Sequence, residues 1–308
     1  MRKLHVLLLL VTVAFSCSEF DDNHSILHDS ELNSDEFSRP SQNNPIRLDP
    51  TKLARVINFP GQFDESQIYF FPNGLVKKIV NFEGALIWDF IYDANQNLLT
   101  VHKYGNGGFT FSFTYDSNNH IISANGVPVS FDGIAGAYLI DPDFVSPGYY
   151  LDKTRVLVNA EGILTTEERL YQNANDEEGD PDTVEGVDTF INFGDLHSIS
   201  NHFMYYTYTE YTYLETENPL KAAFLPACRS LAIVNFGSIS NKLLLAKYLS
   251  QHNLSTIPYD GPEYDVFQYQ YNSLGLPTTQ TRMRYYTGWL ESTMISAAYY
   301  YQGDLIPN

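Results

Sequence analysis

The chain has 308 residues, with 18 Lys and Arg against 37 Asp and Glu, a formal net charge of −19. Such a surface repels phosphate backbones, which excludes nucleic acid as a partner class. Two cysteines give no disulfide framework, whereas 23 Tyr, 20 Phe and 2 Trp make aromatic side chains the abundant resource.

Arg2 and Lys3 form a short positive start, Leu4 to Ala14 an apolar run, and Ala14-Phe15-Ser16 places small residues three and one before Cys17. This order predicts an export signal over residues 1–16, too short to remain as a membrane-spanning helix. Cys17 stands where a lipobox needs its cysteine, so the expected mature N-terminus is a lipid anchor in a membrane. Ala14 and Phe15 depart from the usual lipobox residues, and ordinary cleavage after Ser16 is the alternative; both readings export the protein. Without Arg2 and Lys3, the 18 basic residues fall to 16 against 37 acidic ones, a net charge of about −21. Cys228 is then left without a partner, and its apolar neighbours Phe224, Leu225 and Leu231 predict a buried structural thiol.

Residues 17–50 read as a flexible acidic tether, rich in Asp, Glu, Asn and Ser, with Pro40 and Pro45. Too little apolar surface is present there to offset the entropy of ordering. The start Ser18-Glu19-Phe20-Asp21-Asp22 resembles the signals that send Bacteroidota lipoproteins to the outer face of the outer membrane, so cell-surface exposure is the expected address.

From residue 51 to 308 the pattern changes to short Val, Ile, Phe, Tyr and Thr runs alternating with polar residues. That predicts strands at Gln67–Phe71, Leu75–Phe82, Ala85–Tyr92, Leu98–Tyr104 and Gly108–Tyr115. The turns recur: Phe71-Pro72-Asn73-Gly74-Leu75, Tyr92-Asp93-Ala94-Asn95-Gln96-Asn97-Leu98, Tyr115-Asp116-Ser117-Asn118-Asn119-His120-Ile121, Tyr271-Asn272-Ser273-Leu274-Gly275-Leu276 and, more loosely, Val158 to Ile163. Each pairs an Asp or Asn that can hydrogen-bond its own turn with a residue able to take positive φ. Asn106-Gly107 is a hairpin signal rather than a phosphate loop, since no helix or Lys-Ser/Thr follows.

The Tyr-Asp-x-Asn-x-x-Leu pattern resembles the YD-type β repeats of Rhs-like proteins. Together with the lipoprotein signal, the acidic tether, Glu217-Asn218-Pro219-Leu220 and Ser238-Ile239-Ser240-Asn241, it resembles a family of Bacteroidota surface lipoproteins of unknown function. That resemblance implies fold and address; it carries no activity, so no functional residue transfers.

Near residues 218–248 the β pattern breaks. Asn218 and Pro219 suit an N-cap and first helical residue, and Leu220, Phe224, Cys228 and Leu231 follow at helical spacing, with Pro226 expected to interrupt or kink the segment. One or two short helices packed on the sheet are predicted, followed by strands over Tyr264–Tyr301.

No catalytic motif stands out. The acidic run Asn173 to Asp188 offers Asp176, Glu178, Asp180 and Asp182 as oxygen ligands for Ca²⁺, but in EF-hand register position six is Glu178 rather than Gly, and a solvated loop is the default. The histidines show no zinc-type spacing. Tyr205-Tyr206-Thr207-Tyr208-Thr209-Glu210-Tyr211-Thr212-Tyr213, read as one strand, places Tyr205, Tyr211 and Tyr213 on one face and Tyr206 and Tyr208 on the other. With Tyr285, Tyr286 and Trp289 these rings are the candidate ligand contacts, able to stack on sugars; the plain alternative is cross-strand packing. The sequence therefore predicts a mostly-β protein: a large curved antiparallel meander of hairpin repeats with a short helical insertion, as one domain or as two lobes meeting near residues 140–190. The expected role is a non-enzymatic binding or structural module of the cell envelope, with a polysaccharide or another envelope protein as partner. The alternative is a surface polysaccharide hydrolase whose acidic pair meets only in space.

Overall fold

The computed structural model describes residues 48–105, 108–140, 151–159, 164–171, 183–192, 194–201, 206–208, 211–233, 247–259 and 261–306. Cys17, the tether to residue 47, the acidic run 172–182, Tyr205, the turn residues 160–163 and Ser238 to Asn241 lie outside them. In chain order the elements are β1 (Leu53–Asn58), β2 (Ser66–Phe70), β3 (Val76–Asn81), β4 (Leu86–Tyr92), β5 (Leu98–Lys103), β6 (Phe109–Tyr115), β7 (Ile121–Ala124), β8 (Val127–Asp132), β9 (Ala137–Ile140), β10 (Leu151–Val158), β11 (Leu164–Tyr171), β12 (Thr183–Asn192), β13 (Asp195–Asn201), β14 (Tyr206–Tyr208), β15 (Thr212–Glu217), α1 (Pro219–Ile233), β16 (His252–Pro258), β17 (Glu263–Tyr271), β18 (Pro277–Tyr286) and β19 (Trp289–Tyr301).

Every pairing among these strands is antiparallel. Strands pair in sequence order from β1 through β14 and again from β15 through β19, and β1 joins the two series by lying between β19 and β2. The two edges of this meander, β14 and β15, are neighbours in the chain. From Tyr208 to Thr212 the chain can reach at most about 14 Å, so the sheet must curl until its edges approach. It does not close into a hydrogen-bonded barrel. Side chains and a single backbone bond instead tie the ends. The Leu196 N–H donates to Ser250 Oγ at 3.0 Å, the Tyr213 hydroxyl donates to Leu196 O at 2.8 Å, and the Gln251 N–H donates to Gly194 O at 2.9 Å.

Alternation sets the two faces. Val56, Ile68, Ile79 and Trp88 stand opposite one another on β1 to β4 and are all buried. One residue along, Arg55, Tyr69, Lys78, Asp89, His102 and Thr110 form a polar row across β1 to β6. In it Arg55 and Lys78 lie 5.3 and 5.0 Å from the Tyr69 ring centroid.

The repeated turns share one device. Asp93 Oδ1 accepts the N–H groups of Asn95 and Asn97, both at 2.8 Å, and Asp116 Oδ1 those of Asn118 and His120, both at 2.8 Å. Asn272 Oδ1 does the same for Leu274 and Leu276 at 2.9 and 3.1 Å. Three residues after each Asp or Asn, φ is positive, at Gln96 (68°), Asn119 (65°) and Gly275 (76°). Adjacent turns also touch, Asn97 Nδ2 donating to Asn119 Oδ1 at 2.9 Å.

The helix starts where expected. Asn218 Oδ1 accepts the Leu220 N–H at 3.0 Å, while its amide Nδ2 donates to Lys247 O and Ser250 O at 2.8 and 3.0 Å. Pro226, expected to interrupt or kink the segment, does not end it and sits inside one 15-residue helix. The carbonyl it leaves without an N–H belongs to Ala222, an exposed residue, so water can satisfy it. Leu220, Ala223, Phe224 and Ala227 face the sheet, where Phe224 meets Phe70 edge-on at 6.4 Å. The Tyr115 hydroxyl bonds Leu98 O at 2.6 Å and Ser230 Oγ at 2.8 Å, fixing the helix on β5 and β6. Cys228 packs against this core, and burial pushes its thiol up to about 12, as suits a structural cysteine.

Candidate functional site

The last three strands carry the most unusual surface. On β17, Asp265, Phe267 and Tyr269 share one face, and Phe267 and Tyr269 lead that face into the core. Opposite them on β18 stand Arg284, Arg282 and Gln280. Toward the hairpin end the apolar cover gives out and charge replaces it. Asp265 is 1% exposed and meets two guanidiniums, Arg282 Nε to Oδ2 at 2.8 Å and Arg284 Nε to Oδ1 at 3.1 Å. The Tyr259 hydroxyl donates to Oδ2 at 2.6 Å, and its ring lies 5.3 Å below the Arg284 guanidinium. Burial, reinforced by the carboxylate, pushes the Tyr259 hydroxyl up to about 12. One arginine balances the charge of Asp265; the second leaves this triad with a charge of +1.

Beyond the triad the same face of β18 continues to Tyr286, which pairs with Trp289 across the hairpin. The two are 45% and 79% exposed. Thr287 and Gly288 between them both have positive φ, 48° and 83°, the geometry of a two-residue I′ turn. Thr287 is a β-branched residue in a region such residues avoid. Its N–H donates to Pro262 O at 3.1 Å, which holds the strained turn in place. On the other face Tyr264 and Tyr285 stack at 5.0 Å with 4° between their planes.

The sequence-predicted aromatics therefore separate. Trp289 and Tyr286 pair at this hairpin, with Tyr285 on its other face. The described residues of the run from Tyr205 to Tyr213 fall in two strands with different partners: β14 (Tyr206 and Tyr208) pairs with β13 and β15 (Tyr213) with β16. Tyr211 is buried at 7% exposed. Tyr213 spends its hydroxyl on Leu196 O and accepts from Ser250 Oγ, which serves the seam between sheet ends. Asp176, Glu178, Asp180 and Asp182 lie outside the described residues, as does the lipidation candidate Cys17. Among the described residues no group of three or more His, Cys, Asp or Glu could hold a metal ion.

Asp265, Arg282 and Arg284 escaped the sequence reading. A signal existed: Arg282-Met283-Arg284 in a strand puts two cations on one face of a chain poor in cations. Elsewhere, a cleft of about 570 Å³ near Arg55, Glu65, Gln67 and Tyr69 is polar but its groups serve one another. Arg55 Nη2 donates to Gln67 Oε1 at 2.5 Å and Gln67 Nε2 to Glu65 Oε1 at 2.7 Å.

Fold and site define a curled, open antiparallel sheet with an inserted helix and an arginine–aromatic hairpin face. No protein-family model matches the chain, and no curated protein matches it. Among solved structures, a porin-like protein from Bacteroides uniformis aligns with a TM-score of 0.40 at 9% identity, covering 83% of this chain and 99% of that one. A porin-like protein from Bacteroides vulgatus gives 0.23 at 11% identity, over 66% and 97%. A TcdB2–TccC3 structure gives 0.24 at 10% identity, over 76% of this chain but 14% of that chain. At these scores none of the three bears on what the protein binds.

Proposed function

We propose that the protein is an exported cell-envelope lipoprotein, anchored through Cys17 and carried on its acidic tether, that acts as a non-enzymatic carbohydrate-binding module. The observation that supports this is the exposure of Trp289, at 79%, beside Tyr286 on a turn set by Thr287 and Gly288. Large aromatic side chains gain from burial, and a tip that keeps two of them in water is a stacking surface held ready for a partner. The flat faces suit sugar rings, and the phenol and indole groups suit sugar hydroxyls. Export rests on the sequence from Arg2 to Cys17. No helix among the described residues is long and apolar enough to cross a membrane.

The test is affinity electrophoresis of the exported chain through gels containing bacterial, plant or host polysaccharides, with and without Ca²⁺. Retardation by at least one polymer that Trp289→Ala abolishes is the expected result. Binding unchanged in Trp289→Ala, or none with any polymer, would remove this reading. Shortened products in the retarded lane would move the assignment to the hydrolase alternative.

A further inference from the structure

We infer that the hairpin face selects acidic polysaccharide, taking a sugar carboxylate on Arg282 and Arg284 and an adjoining ring on Tyr286 and Trp289. The inference rests on the carbohydrate-binding reading above and deepens it by naming the ligand class.

Arg282, Arg284 and Tyr286 alternate along one face of β18, so the strip from first to last is about 13 Å long. Trp289 lies opposite Tyr286, Ser292 opposite Arg284 and Met294 opposite Arg282. An extended oligosaccharide laid along the strand meets two guanidiniums and then two rings. Each arginine touches Asp265 through Nε, one of the five N–H donors a guanidinium carries. Among the described residues the terminal amino groups of Arg282 have no other partner, and the Arg282 side chain is 23% exposed. Asp265, 1% exposed, thus acts as a buried brace for two part-exposed guanidiniums, of which Arg284 also bonds Tyr259 and Arg282 keeps its terminal amino groups for a ligand. A planar carboxylate matches a guanidinium fork in bidentate fashion, whereas a neutral hydroxyl forgoes the charge-assisted part of the bond.

The overall charge of −19 does not override this. Exposed charges beyond about 8 Å are screened at physiological ionic strength, so the local groups decide. An acidic group stands at the tip itself, since Glu263 pairs with Tyr286 on the same face. It disfavours an anion at the tip and leaves the arginine end as the carboxylate position.

The experiment is titration calorimetry of the exported chain with polygalacturonate, alginate and hyaluronate, each beside its methyl-esterified form. Acid forms are expected to bind about tenfold tighter than esters, the worth of one charge-assisted bond, with the advantage fading as salt rises. Arg282→Gln should abolish that advantage, and Trp289→Ala should weaken both forms. Equal affinity for acid and ester, or an unchanged preference in a folded Arg282→Gln, overturns the inference while the carbohydrate reading stands. Should Arg282→Gln not fold, the acid-to-ester ratio of the unaltered chain decides alone. No binding to any acid or ester overturns both readings. Capture by phosphatidylglycerol vesicles without polysaccharide binding overturns both in favour of a membrane surface.

Discussion

The Asp195 carboxylate holds His252 at two points, accepting its backbone N–H on Oδ1 at 2.8 Å and meeting ring Nδ1 with Oδ2 at 2.7 Å. The pair joins the beginning of β13 to the beginning of β16, strands that belong to different pairing series. With Gly194 and Ser250 it supplies, by side chains and single backbone bonds, what a strand ladder would supply in a closed barrel. Asp195→Ala is expected to cost about 2 kcal/mol, since it leaves a backbone N–H and a ring nitrogen without their acceptor. Gly194→Ala should also destabilise: φ is 84°, and an added Cβ would stand 3.1 Å from Gln251 Cβ. Urea unfolding of both variants, with amide exchange at β13, measures the seam. Unchanged exchange at β13 would mean that it does not hold the edges together.

Asn218 uses its side chain three times, capping α1 and bonding the carbonyls of Lys247 and Ser250. Asn218→Ala should lose the cap, worth about 1 kcal/mol, and strand two carbonyls for about 2 kcal/mol or more in all. Asn218→Asp keeps the cap but turns a carboxylate oxygen toward those two carbonyls, so it is expected to be no more stable than the alanine variant. Chemical denaturation of the two variants tests the ordering. If Asn218→Asp proves as stable as the unaltered chain, the two-carbonyl role is refuted.

Gln96 occupies the positive-φ place that Asn119 and Gly275 fill in matching turns. Side chains other than Asn or Gly are strained there by about 1 kcal/mol, so Gln96→Gly should gain up to about 1 kcal/mol, less the extra entropy glycine brings to the unfolded chain. Gln96→Val should lose about 1 to 2 kcal/mol. Equilibrium unfolding of the pair provides the check.

These turns also show what the sequence made legible. An Asp or Asn between an aromatic strand end and an apolar restart is local chemistry, and all five strands read from Gln67 to Tyr115 are present within a residue or two. The position of positive φ was less legible at the second turn, because asparagines flank Gln96 and invite the wrong choice. Pairings such as Val56 with Tyr299, and the approach of Asp195 to His252, leave no periodic trace, since distant partners alternate in the same way whatever they face. The tyrosine run was opaque for that reason: nothing local in it tells that β14 and β15 have different partners. At the hairpin Trp289 was visible as an aromatic. Asp265 was not, because a buried carboxylate within Glu263-Tyr264-Asp265-Val266-Phe267 looks like an ordinary solvent-facing position until its two arginines are placed.

Lys247 sits against the core, its Nζ donating to Asn58 Oδ1 at 2.9 Å and lying 5.5 Å from the Tyr248 ring centroid. Burial lowers it from its ordinary 10.5 to about 8. The folded chain therefore binds fewer protons than the unfolded chain between about pH 8 and 10.5, and stability from this group rises with pH across that window. Below pH 8 the full burial cost is present. Lys247→Met removes it together with one hydrogen bond, and is expected to raise stability at pH 7 by about 2 kcal/mol. The advantage should shrink toward pH 10. Comparing the two proteins at each pH cancels the tyrosines, which ionise in the same range. A constant difference from pH 7 to 10 would contradict the assignment.

Asp265 is the residue whose loss should matter most at the hairpin face. Without it Arg282 and Arg284, two residues apart on one side of β18, face each other with no anion between them, and Tyr259 loses its acceptor. Removing the shared partner of two half-buried cations costs about 3 kcal/mol, since the remaining charges are left unpaired. Adding Arg284→Met to Asp265→Leu removes one of those charges and should recover a large part of the loss, so the two substitutions are expected to be strongly non-additive. A double-mutant cycle by urea unfolding measures this directly. Additive costs would mean that the carboxylate braces neither arginine, and the two guanidiniums would then have no fixed geometry with which to receive a ligand.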